Sequence, residues 1–235
     1  MLHALRAVAD RWITRRASPD PQALAAVKGL MPAVVVTGGS RGIGRALAVQ
    51  FAQDRSAVLL VAREAGPLEA AALEISRITG ARTIALALDV TQPDAAQRID
   101  AALADAGLYA DVLVNNAGVG LSGAFAEQSG EDVEGLIALN ITAATRLMHH
   151  ALPPMLARGR GGILNITSLG GLVPGPYQAA YYASKAYLTS LTEAAAFEAR
   201  GRGVRIMAVA PAPSTRGSTA PCKPMTRSIA QSCRR

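Results

Sequence analysis

The chain has 235 residues, half of them apolar, 17% charged and only 4% aromatic, which excludes a mainly disordered protein and calls for a core of Ala, Val, Leu and Ile. The formal charge of +7 sits at the ends: residues 1–30 carry +3 and residues 214–235 carry +5, leaving −1 over 31–213, so nucleic acid is excluded as a partner. Cys222 and Cys233 have no neighbouring His and form neither a disulfide framework nor a metal site, and no apolar run reaches membrane-span length, so a reducing, cytoplasmic setting is expected.

Residues 2–16 place Leu2, Leu5, Val8, Ala9, Trp12 and Ile13 at helical spacing among Arg6, Arg11 and Arg15, and "SPDP" ends the pattern. They read as a short amphipathic helix packed on the body, with attachment to a membrane surface as the alternative. A continuous apolar signal-peptide core is lacking. Residues 1–30 are therefore set apart as an extension, 31–211 as the domain and 212–235 as a tail.

From Met31 onward, strands and helices alternate. "AVVV" (33–36) predicts a strand, then a glycine turn, then a helix over 42–54. "AVLLVA" (57–62) is a second strand, followed by a helix with Pro67 near its start and Gly80 after its end. Strands are predicted over 83–90, 111–118, 162–168 and 204–210, with helices over 93–106 and 131–157 and one bearing "YYASK". Continuous apolar strands alternating with helices predict a parallel sheet covered on both faces. Ligands of such sheets bind beyond the carboxyl ends of the strands, where each unusual feature of this sequence falls.

"TGGSRGIG" (37–44) joins the first strand to the first helix. Gly38 and Gly42 permit a tight turn, Gly44 permits close helix–strand approach, and the helix N-terminus offers N–H groups to a pyrophosphate. In "YYASKAY", Tyr181 lies four before Lys185 and Tyr182 three before it. Either spacing lets a phenol meet the ammonium on a helix face, so geometry leaves both tyrosines open.

The turn resembles that of the short-chain dehydrogenase/reductase family, T-G-x-x-x-G-I-G. Further matches are Asp89-Val90, "NNAG" (115–118), Asn140, and Ser168 with Tyr181-x-x-x-Lys185. The resemblance runs from about Pro32 to Pro211, and "LPPML", "GGILNITS" and "YYASKAY" look most like bacterial members. It implies a Rossmann-like doubly wound parallel α/β sheet with helices on both faces. It also implies a nicotinamide cofactor held by Gly38, Ser40, Arg41, Gly42, Ile43 and Gly44, by Asp89 and Val90 at the adenine, by the backbone at Asn115, Ala117 and Gly118, and by Tyr181, Lys185 and Pro211.

In the family pattern the acid is the tyrosine four before the lysine, thirteen after a serine, which selects Tyr181 with Ser168. The resemblance implies that Tyr181 exchanges the proton of a carbonyl/alcohol pair, Ser168 holds its oxygen, Lys185 holds the ribose and Asn140 anchors a relay water. An unperturbed phenol titrates near ~10, and a neighbouring ammonium favours its phenolate. For cofactor choice, an acid about twenty residues past the glycines would hold the ribose 2′-OH of NAD. Here strand two ends at Arg63, and Arg41 sits in the turn, so NADP(H) is favoured over NAD(H), with Glu64 the dissenting residue.

After Pro211 the family pattern stops: Ala212 stands where a glycine is usual, and the last 24 residues have only Met225 and Ile229 as large apolars. Disorder there, six strands instead of seven and an incomplete substrate lid are expected, as from a shifted reading frame or a short variant. The first reading is an NADP(H)-dependent oxidoreductase acting on a small-molecule carbonyl or alcohol. The alternative is a catalytically impaired or purely NADP-binding module of the same fold. "GVGLSGAF" (118–125) and "LGGLVPGPYQ" (169–178) are expected to line an apolar substrate pocket, and helices around 131–157 and 177–200 to offer a homodimer surface.

Overall fold

Apolar, largely β-branched runs become the central strands in the computed structural model, which describes residues 18–54 and 56–211. β1 (Met31–Thr37) and β2 (Ala57–Ala62) carry the runs Ala33–Val36 and Val58–Val61, each residue at most 3% exposed. Both faces of these strands are covered, so neither shows polar alternation. β3 (Thr83–Ala87), β4 (Leu108–Asn115), β5 (Gly161–Ile166) and β6 (Val204–Val209) complete a sheet of order β3-β2-β1-β4-β5-β6. Every neighbouring pair is parallel. The fold is the Rossmann-like doubly wound α/β sheet expected from the sequence, with six strands among the described residues.

Successive side chains along each strand enter different layers. Val34, Val36, Val58 and Leu60 pack with α2 (Gly42–Gln53) and α3 (Ala65–Thr79) through Ala48, Ala52, Leu68 and Ile75. Val35, Leu59, Leu113 and Ile163 face α4 (Ala95–Asp105), α6 (Ala144–Arg158) and α7 (Ala179–Glu198) through Leu103, Leu147, Met155 and Ala195. Among the described residues β6 is one edge of the sheet and β3 the other, and on the α2/α3 side of β6 Met207 and Val209 are 49% and 38% exposed. A short α1 (Pro21–Ala26), capped by the Asp20 side chain, docks through the Asp20 N–H on the Ala157 carbonyl.

Three elements differ from expectation, the first being β4, which runs over Leu108–Asn115 in place of the predicted 111–118. The strand predicted over 83–90 stops at Ala87, because the Asp89 carboxylate accepts from the Thr91 N–H and hydroxyl and turns the chain out of the sheet. The helix predicted over 131–157 is interrupted: α5 (Gly130–Ile137) passes through a π-helical segment, Ala138–Ala143, before α6 resumes. Asn140 sits within that segment, a type of distortion that marks functional sites in many helices. The predicted helix over 2–16, both cysteines and the tail 212–235 lie outside the described residues.

Candidate active site

The glycine turn is shaped from two directions. Gly38 and Gly42 adopt left-handed φ of +65° and +58°, as the turn requires. Gly44, in the first turn of α2, lies against the Gly38 carbonyl and the Asn116 amide, so a Cβ there would overlap both. Directly after β4, Asn116 Nδ2 donates to the carbonyls of Thr37 (2.9 Å) and Gly38 (3.2 Å), while Thr37 Oγ1 accepts from the N–H groups of Asn116 and Ala117 at 3.0 Å. The sequence presents Thr37 only as the start of "TGGSRGIG" and Asn116 only within the turn "NNAG", with no role for either side chain. The contacts join segments nearly eighty residues apart, which no local pattern reveals.

Beyond the strand ends lies a cavity of about 770 Å³. Gly38, Ser40, Arg41 and Ile43 line it from the turn, Arg63 and Glu64 from the end of β2, Asp89 and Val90 from the loop after β3, and Ala117 and Gly118 from the loop after β4. Asp89 is held below the usual carboxylate range, first by the Thr91 N–H, then by the Thr91 hydroxyl and the Arg63 charge, with partial burial opposing. Arg146 of α6 fastens the same loop by donating to the carbonyls of Thr91 (3.2 Å) and Gln92 (3.0 Å).

Gly42 and Gly44 shape the turn from behind and do not line the cavity. Asn115 turns into the core, where its Nδ2 donates to Asn165 Oδ1 at 2.9 Å and to the Ala144 carbonyl at 3.2 Å; its neighbour Asn116 lines the cavity instead. Pro211, two residues past β6, does not line it either.

Lys185 is 5% exposed; its Nζ donates to the Ile166 carbonyl at 2.9 Å and lies 5.8 Å from the Tyr181 ring centre. Burial lowers its pKa from the usual 10.5 to about 8. Tyr182 is occupied differently. Its ring lies over Gly170 and Gly175, where a Cβ at either glycine would crowd it, and it meets the Tyr181 ring edge-on at 6.1 Å between centres. Ser168 follows β5, and its Oγ accepts from the Gly170 N–H at 3.1 Å, keeping the hydroxyl hydrogen free to donate. Asn140, 1% exposed, is committed to its neighbours: Oδ1 accepts from the Val119 N–H at 2.9 Å, and Nδ2 donates to the Val119 carbonyl at 2.9 Å and Ser184 Oγ at 3.1 Å. Its amide therefore ties the loop after β4 to α7. Gly118 passes between, its Cβ position 3.2 Å from Asn140 Oδ1 and 3.5 Å from Lys185 Nζ.

Ser168, Tyr181 and Lys185 thus come from the end of β5 and the first turns of α7, beside the Asn140–Val119 tie. The arrangement offers a phenol, a hydroxyl and a buried amine; none of the three lines the cavity itself, whose wall presents the guanidinium groups of Arg41 and Arg63. A dinucleotide fits this donor set: the turn has no room for a Cβ at Gly44, α2 presents its N-terminus, and Arg41 and Arg63 suit a further phosphate. Among the described residues, no cluster of three His, Cys, Asp or Glu side chains is placed to hold a metal, and no helix is long and apolar enough to cross a membrane.

The sequence model of the short chain dehydrogenase family matches residues 32–223, and the chain belongs to that family. It is 35% identical over 178 residues to the ketoacyl reductase HetN of Nostoc sp., an alignment covering 76% of this chain and 62% of HetN. It is 33% identical to the very-long-chain 3-oxoacyl-CoA reductase of Laccaria bicolor, over 73% of this chain and 52% of that protein. The chain therefore spans roughly half to three fifths of the length of these curated relatives. Among solved structures, a short-chain dehydrogenase from Sphingobium yanoikuyae in complex with NADPH superposes with a TM-score of 0.72 at 36% identity, covering 78% of this chain and 72% of that one.

Proposed function

We propose that the protein is an NADP(H)-dependent oxidoreductase that interconverts a carbonyl and an alcohol by hydride transfer, with Tyr181 as the acid/base. The observation that carries this reading is the placement of Tyr181 beside Lys185, with Ser168 following β5. A nicotinamide held in this site would supply or accept the hydride. The chain's own part is to hold the carbonyl oxygen through Ser168 and to deliver a proton to it from the Tyr181 hydroxyl. Lys185, whose ammonium is fixed by the Ile166 carbonyl, favours the phenolate left behind. Arg41 and Arg63 line the cavity on the side where a ribose 2′-phosphate would extend, and the NADPH complex of the Sphingobium relative supports the same choice. On this reading residues 31–211 form the catalytic domain, a cytoplasmic setting is expected, and α5–α7 offer a homodimer surface.

A second reading, an NADP-binding module without turnover, draws on Ser168, Tyr181 and Lys185 standing outside the lining of the cavity. Titration with NADPH and NADH, followed by nicotinamide fluorescence, and then a carbonyl screen for NADPH oxidation separate the two. Saturable, NADPH-selective binding with turnover that is lost in Tyr181→Phe supports the enzyme. Binding without turnover supports the module, and no binding of either nucleotide overturns both.

A further inference from the structure

Two loops meet beside Tyr181. The Gly123 N–H donates to the Tyr177 carbonyl at 2.8 Å, and Gln178 Nε2 donates to Ser122 Oγ at 3.1 Å. Leu121, just before this junction, lines the large cavity, and Tyr177 stands two residues ahead of the helix that bears Tyr181. The bridge therefore joins residues 118–128 and 169–178 into one wall just ahead of the helix that bears Tyr181. That wall is strongly apolar: Val119, Phe125, Leu169, Leu172, Val173 and Tyr177 are all exposed large hydrophobic side chains. Such a concentration marks a surface that meets an apolar ligand or partner.

Tyr177 is the unusual member. Its φ of +63° is the single left-handed value at a non-glycine position among the described residues. Bulky L-residues are disfavoured there, and glycine or asparagine would hold the same turn with less strain. Yet the ring is 57% exposed, its hydroxyl has no hydrogen-bond partner among the described residues, and the bond that secures the junction is made by its backbone. Fold geometry thus accounts for a left-handed residue at 177 and does not account for an aromatic one. Strain retained at a site rim without a structural return is the kind of outlier that points to function.

We infer that Tyr177 is a specificity-determining residue whose ring packs against the non-reacting part of the substrate, selecting bulky, flat, apolar ketones over small aliphatic ones. The inference rests on the proposed carbonyl site, and its test does not require turnover.

Binding of 1-tetralone and of 2-butanone is measured by ligand-observed NMR, with and without NADPH, for the full chain and for Tyr177→Phe, Tyr177→Gly and Tyr177→Asn. The wild-type chain is expected to prefer tetralone at least tenfold. Tyr177→Phe keeps that ratio within twofold, while the Gly and Asn variants, which keep the backbone conformation, both lower it at least tenfold without lowering Tm. Absence of tetralone binding, a preference for butanone, or loss of the ratio in only one of the Gly and Asn variants overturns the assignment. Where tetralone binds with the expected variant pattern but is never reduced, the assignment of Tyr177 stands and the oxidoreductase reading falls.

Discussion

Lys185 Nζ donates to the Ile166 carbonyl at 2.9 Å and sits 5.8 Å from the centre of the Tyr181 ring, so one buried amine is held by β5 while it faces the phenol of α7. It has little water around it, and burial lowers its pKa to about 8. The cationic form is thus the strained one, and it is the form that favours a phenolate.

Lys185→Met separates stability from function. In the wild type the folded pKa lies below the unfolded one, so below about pH 8 the chain bears the full cost of a buried charge, about 3 kcal/mol from the displacement. As pH rises from about 8 toward 10.5, the folded state loses its proton while the unfolded state keeps it, and wild-type stability rises. Lost bonding to the Ile166 carbonyl subtracts about 1–3 kcal/mol from the variant at every pH. Relative to wild type, the variant is therefore expected to be more stable at pH 7 than at pH 10, as read by urea unfolding, while NADPH oxidation is abolished. A stability difference flat with pH would contradict the burial argument.

The paired tyrosines should respond in opposite ways. Tyr181→Phe removes only a hydroxyl and is expected to lower kcat by about 100- to 10,000-fold, the range for a general acid, with NADPH affinity nearly intact. Tyr182→Ala removes the ring packed on Gly170 and Gly175. It should instead cost about 3 kcal/mol or more of stability, seen as a fall in Tm. Equal kinetic loss in Tyr182→Phe and Tyr181→Phe would contradict the assignment of the acid.

Cofactor choice should follow charge. Arg63→Glu, alone and with Arg41→Ser, is expected to weaken NADPH binding by roughly 10- to 100-fold per arginine, the value of a charge-assisted hydrogen bond of about 1.5–3 kcal/mol. NADH binding should hold or improve, because Glu64 and the new acid would face a free 2′-OH. Isothermal titration with both nucleotides checks this, and parallel losses for both would show that the arginines do not read the phosphate.

Gly44→Ala tests the close approach behind the turn. The added methyl would overlap the Gly38 carbonyl and the Asn116 amide, which are backbone and hydrogen-bonded atoms with little freedom to retreat. Overpacking of this kind costs about 1–3 kcal/mol. NADPH binding should fall with Tm, whereas Gly66→Ala, with open space at its Cβ position, should leave both near wild type.

The layered sheet was legible because its strands are continuous apolar runs and its helices carry terminal signals such as Gly80, which adopts a left-handed φ of +71° directly after α3. The glycine turn was legible for the same local reason. What stayed hidden depends on distance along the chain. Asn115 and Asn116 are identical in type, yet one turns into the core to meet Asn165 and the other reaches back to β1. β3 ends short of its expected place because Leu88 and Val90 continue the apolar pattern, while the Asp89–Thr91 bonds that break it involve residues common in strands and turns alike. The π-helical segment at Asn140 has no composition of its own; it becomes visible only once Val119 and Ser184 are seen to hold the side chain.

Asn116 has one more implication, for engineering. Because its amide holds the carbonyls of Thr37 and Gly38, the segment from β1 to α2 is not a portable cassette. Transplanted alone into another sheet, "TGGSRGIG" would arrive without the side chain that sets its curvature. A designer who wished to move this turn would have to carry the end of β4 with it, and with β4 the loop that Asn140 fastens to α7.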